Sequence, residues 1–514
     1  MPFGDECPPG DDAISLVPAD AYLYVHIGLD PDTEQVERAL DVAETLPLIA
    51  TGGSRLLAQQ LGVPAPDDFL RLSRSWRGDE AAFAFLPGAE GRPRPLTLLA
   101  MSDGDRARRS MAEILEQGKP RKRTYRGVEI DAYRDSDVAD LDGFLAVGSP
   151  DSVRAAIDLE RGAERTRSLS DDDASEDVRG ELPDDRLADA YVSADGIDRL
   201  LAGRSGLASQ LDTFTNFGAS RGIAAAAVAE EEGIEIELES ALDPERAEAH
   251  PSFFSAFPDF TPSLADEFPG GALAYLGIAN PSETVQLLLE QAAAVAPGIV
   301  DAFDRLNRDL RRDGGVDLEQ GVLPLLRGEA AASAAPGGLI PFLSFVFTDV
   351  DEGEAREAIA RLQGPLIEAL GPERTGQAAG FDEERVDDVT VRSVRLSPAF
   401  NLAYAIFDGK LVVSTDPMGV RRAIEGGDGL DEQDDYQAIA SDAPDSVSAL
   451  LFLNLEGLVR LAEPRGLAQI EPYVIFRSDI AKLRALGLSV ESDEDSLSTR
   501  LFVEIEKAEK ERGD

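Results

Sequence analysis

The chain is poor in histidine, cysteine and lysine. Of its 514 residues only His26 and His250 are histidine and only Cys7 is cysteine. A zinc site needs three or four Cys, His or carboxylate ligands, and no CxxC, HxH or HExxH spacing occurs, so zinc chemistry and any resident metal or cofactor are not expected. A single cysteine forms no internal disulfide, so cysteine usage does not fix the redox compartment. Lysine is confined to Lys119, Lys122, Lys410, Lys482, Lys507 and Lys510, and the other basic residues are Arg. GC-rich coding and adaptation to salt both produce that bias. No run approaches the roughly 20 apolar residues of a membrane-spanning helix, and the longest candidate, Leu339 to Val350, reads as a buried strand. The opening Met1-Pro2-Phe3-Gly4-Asp5-Glu6-Cys7 has neither the basic nor the hydrophobic stretch of a signal peptide. The expectation is either a cytoplasmic protein or one whose export segment or membrane tether is missing from this chain.

Acid is what the sequence has in excess. Asp and Glu number 98 against 49 Lys and Arg, a net charge of −49. A field of that sign repels a polyanion, which excludes nucleic acid as a partner. The 43% apolar content supports real cores, and at about 100–200 residues per domain the length implies two to four domains.

Self-similarity organises the rest. Pro18 and Tyr24 match Pro269 and Tyr275, both at an offset of 251. Pro47 matches Pro297 and Gly78 matches Gly328, at 250. Asp103 pairs with Asp349, Asp142-Gly143 with Asp408-Gly409, Val153-Arg154 with Val420-Arg421, and Pro183-Asp184 with Pro444-Asp445. Gly196 matches Gly457 at 261. A collinear series with slowly drifting offset indicates two copies of one unit. The expected division is a disordered segment over 1–14, a first repeat over 15–246, a linker over 247–261, a second repeat over 262–506 and a charged tail over 507–514. Phe253, Phe254, Phe257 and Phe260 indicate that the linker region packs against a lobe.

Each unit reads as α+β, a mainly antiparallel sheet with packed helices. A strand at Tyr22 to Ile27 leads into a helix opened by Asp30-Pro31-Asp32-Thr33, with capping residues and a proline suited to a first turn. A second helix is expected around Arg55 to Leu61. Ala81 to Leu86 and Leu96 to Met101 read as paired strands, and Asp105 to Glu116 has helical apolar spacing. Val128 to Tyr133 and Gly143 to Val147 read as strands. Asp408-Gly409, between Ala403–Phe407 and Leu411–Val413, is a strong hairpin signal because a tight two-residue turn wants positive φ at both positions.

The run Leu16-Val17-Pro18-Ala19-Asp20-Ala21-Tyr22-Leu23-Tyr24-Val25, the passage around Trp76-Arg77-Gly78-Asp79-Glu80 and the stretch Asp177 to Val192 resemble a bacterial family known as domain of unknown function 3352. The resemblance implies a non-catalytic, extracytoplasmic or envelope-exposed protein, often held by an N-terminal membrane or lipid anchor. It brings no catalytic residues. The function expected on this basis is a non-enzymatic, envelope-associated binding or scaffold protein with two similar lobes, whose interface could take a protein or a small apolar ligand. Two alternatives stand beside it: a carboxylate-dependent hydrolase, and a cytoplasmic acidic protein of a salt-adapted cell.

Four local features invite a functional reading. Gly218-Ala219-Ser220-Arg221-Gly222 has the GxSxG pattern of a nucleophile elbow, but that motif needs a strand before the serine and here the strand follows. Asp171 to Asp177 is acidic enough for weak divalent cation binding, yet lacks the ligand alternation and central glycine of a calcium loop; it reads better as the acidic start of a helix. His26 lies in the first strand, its repeat counterpart in the second copy is Gly277, and it reads as a satisfied or surface histidine. The basic cluster Lys119, Arg121, Lys122, Arg123, Tyr125 and Arg126 is absent from the second copy. It is the candidate contact for an anion or a partner, against a plainer reading as a solvated strand edge.

Overall fold

The computed structural model describes residues 10–60, 73–89, 92–115, 120–163, 166–202, 217–245, 257–285, 289, 297–315, 317–337, 340–370, 380–397, 400–493 and 495–506. These form one 20-stranded sheet. The first strands are β1 Leu23–Gly28, β2 Arg77–Leu86, β3 Arg94–Met101, β4 Arg121–Tyr125, β5 Val128–Ala132, β6 Asp137–Leu141, β7 Phe144–Gly148, β8 Ala188–Ser193, β9 Ser220–Ala229 and β10 Gly233–Leu242. The rest are β11 Ala274–Ala279, β12 Glu329–Ala335, β13 Phe342–Phe347, β14 Asp382–Val386, β15 Val389–Ser397, β16 Phe400–Phe407, β17 Lys410–Ser414, β18 Ala449–Asn454, β19 Leu483–Ser492 and β20 Ser496–Ile505.

Every pairing is antiparallel. From one edge the sheet runs β4, β5, β6, β7, β3, β2, β1, β8, β9, β10. It continues β20, β19, β18, β11, β12, β13, β17, β16, β15, β14 to the other edge. The mixed α+β class expected from the sequence is therefore present, as helices packed on one antiparallel sheet. Most expected elements recur within a residue or two at their ends. The Asp-Gly hairpin positions Asp142-Gly143 and Asp408-Gly409 all take positive φ.

Three expectations need correction. Residues 11–14 are not disordered: Ala13 and Ile14 are buried, and Asp11 pairs with Arg179. Asp349, matched above to Asp103, does not share its capping bond: Asp103 accepts the Arg106 amide at the start of its helix, whereas at the start of Glu352–Leu370 it is Asp351 that accepts the Glu354 amide. Strand β6 adds an element between Val128–Tyr133 and Gly143–Val147, its sequence Asp137-Val138-Ala139-Asp140-Leu141 carrying an acid at its buried start. Of the linker aromatics, Phe257 is buried and Phe260 forms a bridge to Val447, while Phe253 and Phe254 lie outside the described residues.

One face of the sheet carries the main cores. Tyr24, Tyr191, Leu96, Leu98 and Val153 belong to the first large cluster, and Tyr275, Phe452, Tyr436, Val412 and Val420 to the second. The two clusters meet at the β10–β20 ladder, which pairs Gly233 with Glu504 at one end and Ala241 with Ser496 at the other. At its centre Glu237 lies opposite Arg500, each the fifth residue of its own strand, joined at 3.1 Å. Glu237 is buried against Arg500, so reversing the charge of either residue leaves the other facing a like charge. Glu237→Arg should therefore lower unfolding free energy by roughly 3 kcal/mol. The swap Glu237→Arg/Arg500→Glu should recover most of it. Chemical denaturation of the single variants and the double variant checks this, and a double variant as weak as the singles would contradict the pairing.

Candidate functional site

Three groups of ionisable side chains stand out. The basic cluster is placed first. Arg121, Lys122, Arg123 and Tyr125 form β4, the outermost strand, and Arg126 is the first turn residue of the β4–β5 hairpin at φ 47°. Lys119 lies outside the described residues. Arg121, Lys122 and Arg123 are exposed; Lys122 pairs with Glu129 at 2.6 Å and Arg126 with Asp158 at 2.5 Å. The Tyr125 hydroxyl donates to Asp158 at 3.1 Å. The charges therefore do not converge on one ligand pocket but are spread along a sheet edge.

The second group surrounds His26. It sits in β1 opposite Asp189 of β8, and both are buried. Nδ1 lies 3.3 Å from Asp189 Oδ1, and Nε2 lies 3.3 Å from Glu80 Oε2. Asp189 also accepts from Arg179 at 2.8 and 3.0 Å and from Arg186 at 3.1 Å, and Arg179 reaches Asp11 at 2.5 Å. Burial works to lower the His26 pKa, but hydrogen bonding to Asp189 and Glu80 and the charge of Asp11 carry it up to about 9. Burial works to raise Asp189, but the His26 hydrogen bond and the Arg179 and Arg186 charges hold it well below the usual carboxylate range. Asp11, His26 and Asp189 each place a ligand-type atom within 4.8 Å of the others. The set nevertheless does not fit a cation: Arg179 occupies both carboxylates, and an imidazolium has no lone pair to offer. It is a closed ion-pair network. In β11, Gly277 faces Leu450, and the Phe260 ring lies 3.3 Å from where a Cβ on Gly277 would sit, so an aromatic side chain covers that position.

The third group lies beneath the helices at the β10–β20 ladder. Glu235, Glu237 and Glu239 are buried on one side of β10. Burial, with Asp442 beside it, raises Glu235 to about 8. Burial raises Glu239 to about 7, although Ser498 bonds its charged form, and burial with Asp435 nearby raises Glu504 to about 7. Arg500 is the cation that faces Glu237. Next to them Asp442, Leu450, Gly487, Arg500 and Phe502 line a cavity of about 10 Å³, roughly the space of one water.

Other sequence candidates resolve simply. Ser220 is buried at the first position of β9 and bonds the Ser240 hydroxyl, so the strand follows the serine as expected. Asp172 accepts the Ser175 amide and caps the helix Asp173–Arg179. His250 lies outside the described residues.

The family match decides what the chain is. A model described as "Protein of unknown function (DUF3352)" matches residues 9–505. The chain belongs to the DUF3352 family. No curated protein matches this DUF3352 chain. Among solved structures it is similar to crystal form III of TP0453, at 10% identity and a TM-score of 0.28, covering 45% of this chain and 80% of that one. Crystal form I of TP0453 matches at 11% identity and a TM-score of 0.26, covering 45% and 79%. Likenesses of this depth assign nothing to the DUF3352 chain.

The buried carboxyls set a pH dependence. A carboxyl raised in the folded state binds its proton more tightly there, so its contribution to stability is complete below the unfolded pKa near 4.5 and is lost as pH rises through the folded value. Melting temperature should fall between about pH 5 and about pH 9, and less steeply in Glu235→Gln. Parallel profiles for the two proteins would remove Glu235 from the account.

Proposed function

We propose that this chain is a non-enzymatic, envelope-associated binding or scaffold protein built from two similar halves, over about residues 15–246 and 262–506. The halves are supported by register as well as by order. His26 faces Asp189 and Ala82 in β1, just as Gly277 faces Leu450 and Ala331 in β11. Gly196 packs on the Tyr22 carbonyl and Gly457 on the Leu273 side chain, and the Ser193 and Asn454 amides donate to the Tyr22 and Leu273 carbonyls. The envelope placement rests on the family resemblance alone.

The observation that carries the binding reading is the central part of the sheet face turned away from the two main cores. Along β10, β20, β19, β18 and β11 one row reads Ile236, Leu501, Leu488, Leu451 and Leu276, each directly opposite the next. Every member is at least partly exposed, Ile236 at 38% and Leu276 at 40%. Leu343 on β13 extends the apolar surface at 43%. Contiguous exposed apolar surface of this kind marks a binding site on a soluble domain more often than chance. A hydrolase remains the second reading, because Glu235 and Glu239 carry raised pKa values of the kind an acid–base pair needs. Their burial and the 10 Å³ cavity beside them leave no room for substrate. The same size argues against an apolar ligand in that space and favours a protein or other extended apolar partner on the open face.

Ile236→Ser/Leu276→Ser should reduce binding of the neutral apolar dye Nile red several-fold with the melting temperature unchanged. Equal dye binding by the variant and the parent would count against this face as the binding surface.

A further inference from the structure

The two ends of the sheet carry opposite charge. Strand β4, at one end, reads Arg121-Lys122-Arg123-Thr124-Tyr125, and β14, at the other, reads Asp382-Glu383-Glu384-Arg385-Val386. The first four residues of each are exposed. Among the described residues β4 pairs only with β5 and β14 only with β15, so each strand leaves one row of backbone amides and carbonyls without a ladder. Arg121, Arg123 and Asp382 make no ion pair among the described residues, whereas Lys122 is held by Glu129, Glu383 by Arg392 and Glu384 by Arg421.

We propose that β4 of one molecule pairs antiparallel with β14 of a second copy, extending the sheet head to tail. The molecule already contains a junction of this kind, since β10 and β20 join edge to edge around a Glu–Arg pair. Like charges disfavour β4–β4 and β14–β14 pairing, so the edge chemistry selects the mixed junction. Because the two edges lie at opposite ends, the contact does not close on itself and gives an open-ended chain. Net charge of −49 opposes association at long range. Screening separates the two effects: at physiological salt the Debye length is about 8 Å, longer than the roughly 4.8 Å between paired strands and far shorter than the distance between molecular centres. Assembly should therefore rise from low salt to about 0.15 M and fall again towards 1 M, where the Debye length is about 3 Å. The contact uses the sheet ends and is independent of the apolar face.

Sedimentation velocity on the full chain, from micromolar to millimolar concentration, tests the proposal. The parent protein should form species larger than a dimer as concentration rises. Arg121→Glu/Arg123→Glu leaves both edges acidic, Asp382→Arg/Glu384→Arg leaves both basic, and each variant alone should stay monomeric. Mixed in equal amounts they should co-assemble, a result that misfolding of either variant would not produce. Thr124→Pro, which removes an amide pointing away from β5 and leaves charge unchanged, should also abolish assembly. A parent protein that is monomeric at every salt concentration, or a mixture of the two variants that does not associate, would overturn the proposal.

Discussion

The ladder between β10 and β20 is the interaction on which the rest of the molecule depends. Without it there would be two sheets, each ending in a long strand with open backbone groups, and such edges are aggregation hazards. With it the first and second cores become one continuous sheet. The ladder also fixes the position of the buried acids. Glu235, Glu237 and Glu239 point toward the helices, and only at the central position does a cation, Arg500, face them across the ladder. All three carboxyls consequently hold their protons more tightly than in water, Glu237 despite the opposing charge of Arg500.

The two halves proposed above fill the space over β1 and over β11 with different chemistry. In the first half His26, Asp189, Arg179 and Asp11 fill the space over β1 and β8 with compensated charge. In the second, Gly277, Leu450 and Phe260 fill it with apolar surface. Buried ion pairs are poor stabilisers compared with apolar packing, yet removing one partner is costly because the other charge is left without compensation. The first half is therefore the less forgiving of substitution at this place, even though neither arrangement creates an open site. The outer edges of the sheet differ likewise: β4 carries Arg-Lys-Arg and β14 carries Asp-Glu-Glu.

Much of the architecture was legible because it rests on local signals. The Asp-Gly turns at Asp142 and Asp408 demand positive φ and have it, and the helix expected after Asp30-Pro31-Asp32-Thr33 does begin at Glu34, although Thr33 stands at its start without a side-chain capping bond. What stayed hidden depends on which face of a strand turns inward. Gly233 to Leu242 alternates isoleucine or leucine with glutamate, a pattern that identifies a strand but assigns the acids to solvent. The glutamates are instead the buried set, and Ile236 is exposed. Asp189, the second residue of Ala188–Ser193, offered a clue, since a charge within an otherwise apolar strand calls for a buried partner. Neither Arg179 nor His26 could be matched to it without the fold. The basic run was visible as composition, but its place at the sheet's end follows from pairings between strands far apart in the chain.

Amide hydrogen exchange along β10 and β20 in the intact chain tests the continuous sheet most directly. If these strands form an interior junction, amides from Ile234 to Ala241 and from Leu497 to Val503 will exchange as slowly as those of β8 and β18. If alternate amides of β10 and β20 exchange at the rate of the outer strand β4, the two halves are not joined through this ladder and the account fails.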